Sequence, residues 1–248
     1  MAGCGSRRRS AGYSAETNIS DAREQVPSAW KHVAETSSLW ARGWRQFGHL
    51  GPRGPEDGPP ALVIPGFVAN DRTTMQLRRA LAEANWRVHG WDAGWNLGAR
   101  ADTLELLKRR LDAIAPDRPV LLVGWSLGGV FARELARMEP ERVRAVVTLA
   151  SPFSGDPRLN NVWKFYERVA GHPVDAPPIA RIFDKPPVPT LAIWGQRDGL
   201  LAERAACGLP DESDFQLGLP CNHMDFAASR RATRTVVREI DIFLKTVA

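Results

Sequence analysis

Residues 120–138 read VLLVGWSLGGVFARELARM. Four apolar residues, Val120-Leu121-Leu122-Val123, run into Gly124-Trp125-Ser126-Leu127-Gly128-Gly129, and an amphipathic stretch follows. A short run that is apolar on both faces suits a strand covered on both sides of a sheet. The stretch 127–138 is predicted to be a helix. Between them, the glycines let the chain turn sharply and let strand and helix backbones pack closely. A serine in such a turn projects off the carboxyl end of the sheet, and the helix N-terminus beneath it favours developing negative charge. As a bare pattern G-x-S-x-G arises often by chance; here it stands directly between strand and helix, the context its chemistry needs. The plain alternative is an ordinary Gly-rich βα turn.

The same alternation extends both ways. Ala61-Leu62-Val63-Ile64 reads as a buried strand, and further strands are expected at 87–91, 143–149, 188–194 and 215–219. Apolar spacing near 3.6 predicts helices at 72–85, 101–115, 160–170, 201–207 and 229–246. Strands alternating with helices imply crossover connections and a mostly parallel sheet, an α/β architecture. No internal repeat is found.

Upstream, residues 1–20 are small, polar and Gly/Ser/Arg-rich, and read as a disordered tail. Residues 21–58 read as an N-terminal helical extension. In it Trp30, Val33, Trp40, Trp44 and Phe47 form an aromatic stripe. A helix docked on the domain is the plain reading. Contact with a membrane interface through residues 21–50 is the sharper one, because Trp beside Arg42 and Arg45 suits lipid headgroups; a partner-binding helix is a third. Residues 51–60, GPRGPEDGPP, are a loop by composition. The main domain is placed at 59–248, with a small cap at about 151–187.

A chain of 248 residues with 44% hydrophobic and 25% charged side chains can bury a full core without metals or disulfides. No apolar run approaches the length of a membrane span. The net charge is +5, but basic residues cluster only in Arg7-Arg8-Arg9 and on the last helix, so nucleic acid is not an expected partner. The N-terminus lacks the apolar core of a signal peptide, which reads as a cytoplasmic, reduced protein. Cys207 and Cys221 flank the region of interest, and a bridge between them is the expectation only for a secreted chain. No zinc spacing is present. The sequence leaves the oligomeric state open.

Three further motifs accompany the serine turn: Pro65-Gly66-Phe67 after the first strand, Gly195-Gln196-Arg197-Asp198-Gly199 after a late strand, and His223 after the last. Together with the Ser126 turn, in this chain order, they resemble the α/β-hydrolase fold, serine esterase and lipase branch, over roughly residues 60–247. The resemblance implies a Ser126, Asp198, His223 triad. It also implies an oxyanion hole from the backbone N–H groups of Phe67 and Leu127, each such donor commonly worth ~3–4 kcal/mol in the transition state. Pro65 stands where the family often has His, without disturbing the donor. Asp156 is the reserve acid, and Asp225 lies too close to His223 along the chain to be preferred. His32, His49, His89 and His172 do not follow the last strand. Gly66, Trp125, Phe153 and Trp163 are candidate substrate-contacting residues. Phe165, Tyr166 and Trp95 are further candidates, and helical core packing is the plain reading for each of Trp163, Phe165 and Tyr166.

The expected reaction is hydrolysis of a small-molecule acyl ester through an acyl-enzyme, with no metal or organic cofactor. An acyltransferase, a thioesterase or amidase, and a non-catalytic binding protein of this fold remain as alternatives.

Overall fold

The computed structural model describes residues 53–247. The tail 1–20, residues 21–52 of the extension with its aromatic stripe, Cys4, His32 and His49 lie outside the described residues. Six strands form one sheet: β1 Pro60–Ile64, β2 Arg87–Gly90, β3 Val120–Trp125, β4 Val143–Leu149, β5 Thr190–Gly195 and β6 Phe215–Leu219. Their order is β2-β1-β3-β4-β5-β6, and every adjacent pair is parallel. The helices are α1 Met75–Glu83, α2 Thr103–Ile114, α3 Leu127–Met138, α4 Trp163–Ala170, α5 Glu203–Cys207, α6 Asp225–Ala228 and α7 Arg230–Val247.

Strand pleating sends alternate residues to opposite layers. Ala61, Val63, Leu121, Val123, Ala145 and Val147 pack with α1, α6 and α7 through Leu77, Leu81, Phe226, Val236 and Ile240. Leu62, Ile64, Val120, Leu122 and Val146 face the other way, against α2 and α3 through Leu107, Leu111, Phe131 and Leu135. Burial on both faces is why the central strands lack an apolar–polar alternation; every residue of β1, β3 and β5 is buried. The edge strand β6 is only partly covered.

From β1 the chain crosses to β2 at one edge and then returns to β3 on β1's other side. Such a reversal opens a crevice beyond the carboxyl ends of the two strands, where open α/β sheets hold ligands. Register pairs Ile64 with Gly124, so the loop leaving β1 lies beside the turn leaving β3. Among the described residues no helix is long and apolar enough to cross a membrane. Cys207 and Cys221 are both buried, and no bridge joins them to each other.

Candidate active site

Ser126 occupies φ 54° and ψ −125°, a backbone conformation that side-chain-bearing residues seldom adopt. Such strain costs on the order of 1–3 kcal/mol and persists only where the surroundings enforce it. Here they do. The Ser126 N–H donates to the Leu149 carbonyl on β4 at 2.8 Å, and its own carbonyl accepts from Gly129 N–H at 3.0 Å. A methyl group at Gly124 would run into the backbone of Gly128 and Gly129, and one at Gly128 into the carbonyls of Ile64 and Pro65. These glycines allow α3 to start against both β3 and the end of β1. Gly66 serves the same close approach: a Cβ there would lie 2.9 Å from Ser126 Cβ.

The loop after β1 is fixed by a residue the sequence reading passed over. Asn96 is fully buried; its side-chain amide donates to the Pro65 carbonyl at 2.8 Å, and its Oδ1 accepts from Gly98 N–H at 3.2 Å. Its backbone adds two bonds, accepting from Val68 N–H at 2.7 Å and donating to the Ala69 carbonyl at 2.8 Å. Asn96→Ala orphans the buried Pro65 carbonyl and the Gly98 N–H. It is expected to destabilise the fold by about 1–3 kcal/mol, read as a lowered urea midpoint.

Asp198 and His223 meet beyond the ends of β5 and β6. Asp198 Oδ2 lies 2.8 Å from His223 Nδ1, and both side chains are almost wholly buried. The other carboxylate oxygen, Oδ1, accepts from the backbone N–H groups of Leu200 at 2.8 Å and Leu201 at 2.9 Å. The carboxylate is thereby locked in one orientation, with one oxygen for the loop and one for the imidazole. The loop is braced in turn by Asn161, whose backbone N–H donates to the Leu200 carbonyl and whose side chain donates to that of Gly199. His223 is carried to the serine turn by Trp125: the indole Nε1–H donates to the His223 carbonyl at 3.1 Å, and the two rings sit 5.6 Å apart.

The other acids and histidines stand elsewhere. Asp156 is exposed and accepts from Arg158 N–H, while Asp225 accepts from Asn222 N–H. His89 is buried in β2, where desolvation and then neighbouring arginines push its pKa down to about 4. His172 lies against Tyr166 and the Ala99 carbonyl.

Ser126 opens into a cleft whose wall includes Phe67, Leu127, Val130, Trp163 and Tyr166. The segment between β4 and β5 contributes much of that wall, with α4 as its one helix. Phe67 packs its ring 5.0 Å from Tyr166 and 5.7 Å from Phe165. Of the four residues expected to touch substrate, only Trp163 lines the cleft. Gly66 and Trp125 stand behind the serine turn as its packing. Phe153 is buried beside Val130 and Ala192, under the Arg133 guanidinium at 4.2 Å, because the chain turns inward right after β4. The sequence reading also missed Arg181, the one charged residue in the cleft wall among the described residues; an Arg in a Pro-rich connecting stretch carries no periodic signal.

The family model for the alpha/beta hydrolase fold matches residues 59–178. A putative aryl esterase from Burkholderia cenocepacia superposes with TM-score 0.59 at 15% identity, covering 78% of this chain and 94% of that one. The chain has the α/β-hydrolase fold. A carboxylesterase from Bacillus subtilis shares the fold with TM-score 0.54 at 16% identity, over 87% of this chain and 97% of its own. In sequence, this α/β-hydrolase-fold chain is 47% identical over 93 residues to the pimeloyl-[acyl-carrier protein] methyl ester esterase of Citrobacter koseri, 36% of each chain. It is 37% identical over 97 residues to that of Vibrio atlanticus, 38% of this chain and 37% of the relative. The matches thus span little more than a third of those relatives' lengths.

Proposed function

We propose that this protein hydrolyses carboxylic esters with Ser126 as nucleophile, His223 as general base and acid, and Asp198 as the group that orients and balances the imidazole. The observation that carries the proposal is the buried 2.8 Å Asp198–His223 pair, tied through Trp125 to the strained serine turn. Ser126 takes up its position at the mouth of α3, where the first N–H groups of a helix lack intrahelical partners. His223 accepts the hydroxyl proton through Nε2 as Oγ attacks the ester carbonyl carbon. The oxyanion forms between the N–H groups of Leu127 and Phe67, which Gly128 and Asn96 hold together. His223 then protonates the leaving alcohol, and water activated by the same ring releases the acid.

The apolar wall favours an acyl chain over a highly charged group near the carbonyl. Segment 151–187 acts as the small cap over it. The names of the relatives support an esterase and make the methyl ester of a carrier-bound acyl chain the first natural substrate class to try.

The deciding experiment is hydrolysis of p-nitrophenyl esters from acetate to palmitate by the wild type and His223→Ala. The wild type is expected to turn over part of the series, with the variant slower by at least about 10³-fold. Equal rates, or no turnover across the series, would overturn the proposal. Asn96→Ala is expected to lower kcat about tenfold with little change in KM, since it loosens a donor used mainly in the transition state.

A further inference from the structure

Arg181 is half-buried, and it differs from the buried Arg133 in how its donors are used. Arg133 is 1% exposed and donates to the carbonyls of Phe183, Asp184 and Glu212 and to Ser213 Oγ, which makes it a structural clasp. Arg181 makes one hydrogen bond among the described residues, from Nη2 to the Pro152 carbonyl at 2.8 Å. Its guanidinium also lies 5.5 Å from the Phe183 ring. The acids whose charges reach it are committed elsewhere. Asp156 accepts from Arg158 N–H, Glu134 is paired with Arg137 at 3.4 Å, and Glu212 accepts from Leu209 N–H and faces Arg204. Burial pushes the Arg181 pKa down from its ordinary value, against those acids, yet a guanidinium remains charged at neutral pH.

The position of this charge is specific. Arg181 lines the Ser126 cleft and also a second, adjoining hollow, and Pro157, Pro177 and Ile179 are shared between the two. The second hollow is otherwise walled by Asp175, Ala176, Ala180 and Phe183, and Asp175 is itself paired with Arg158 at 2.7 Å. A ligand chain running from Ser126 along the apolar wall therefore meets a cation at the point where the cleft joins that hollow. A guanidinium in apolar surroundings gains most from a ligand anion, because the fork geometry suits two oxygens at once.

Resting on the esterase reading above, we infer that Arg181 is a specificity determinant: it receives an anionic group, carboxylate or phosphate, at the far end of the acyl chain whose ester lies at Ser126. The preferred substrates are then ω-anionic acyl esters, with neutral acyl chains of equal length as poorer ones.

The test compares matched methyl esters by acid release: methyl hexanoate against monomethyl adipate, methyl octanoate against monomethyl suberate, and methyl 6-phosphonohexanoate as the phosphate-like arm. The wild type is expected to favour the anionic member of a pair at least tenfold in kcat/KM. Arg181→Gln is expected to bring that ratio near one, with Arg181→Lys in between. The carboxylate and phosphonate arms distinguish the two anions, and the chain length of greatest preference measures the span from Ser126 to Arg181. No preference in the wild type, or a preference unchanged in Arg181→Gln, would overturn the inference. Failure to hydrolyse any of these esters would count against the esterase reading, and calorimetry then decides on Arg181 separately. Monomethyl adipate and monomethyl suberate are titrated into Ser126→Ala and into Ser126→Ala/Arg181→Gln. At least tenfold weaker binding in the double variant supports the subsite; equal binding, or none in either, rejects it.

Discussion

Ser126→Ala is expected to lower ester hydrolysis by roughly 10⁵–10⁶-fold, leaving only what the oxyanion donors and binding contribute without a nucleophile. The same position permits a second reading through stability. At φ 54° and ψ −125°, alanine inherits the strain of serine, whereas glycine adopts this conformation readily. Ser126→Gly is therefore expected to be as inactive as Ser126→Ala but about 1 kcal/mol more stable. That is the relieved strain less the extra freedom glycine gives the unfolded chain. Urea denaturation of the two variants measures the difference. A glycine variant no more stable than the alanine variant would mean that the turn is not strained, and that the backbone does not hold the hydroxyl in place as argued.

Asp198→Asn should be nearly as severe, on the order of 10⁴ in kcat, with little loss of stability. The carboxylate oxygen Oδ1 holds the Leu200 and Leu201 N–H groups, so an amide at this site keeps its carbonyl oxygen there. Its NH₂ then faces His223 Nδ1, which must accept rather than donate. The imidazole proton moves to Nε2, the nitrogen that the proposed mechanism needs bare to take the serine proton. The variant is thus folded but in the wrong tautomer. Asp198→Ala lacks the acceptor as well and should lose stability in addition, so comparing kcat and urea midpoints for both separates the two roles of one carboxylate. A kcat for Asp198→Asn within tenfold of wild type would show that another group orients the imidazole.

The strands were legible because a buried parallel sheet leaves short, wholly apolar runs in the sequence, as in β1 and β3. The helix ends were less so, and side chains explain the differences. α1 begins at Met75 rather than 72 because Asn70 Oδ1 accepts from Arg72 and Thr73 N–H groups and holds the chain in a turn. α4 begins at Trp163 rather than 160 because Asn160 Oδ1 accepts from Val162 N–H. α5 starts only at Glu203, since Leu200 and Leu201 give their N–H groups to Asp198. The four-residue helix α6 was too short to leave a periodic signal. At the site, Asp198 and His223, placed by motif and chain order, come together at 2.8 Å, while other residues around the cleft left no such signal. Asn96 and Arg181 are placed by tertiary packing, bonding to proline carbonyls 31 and 29 residues away, and a local pattern does not carry that.

The strand order has a consequence for how the protein comes into being. Strands β1 to β4 can pair once the chain through Leu149 has left the ribosome, and β5 and β6 then add in turn along one edge. The serine turn is thus complete while His223, tied to Trp125 across 98 residues, has yet to be synthesised. On the mechanism proposed above, a nascent or truncated chain carries Ser126 in an inert state, and ester cleavage begins only when β6 and the loop that follows it dock. In refolding, recovery of turnover should trail recovery of the central sheet.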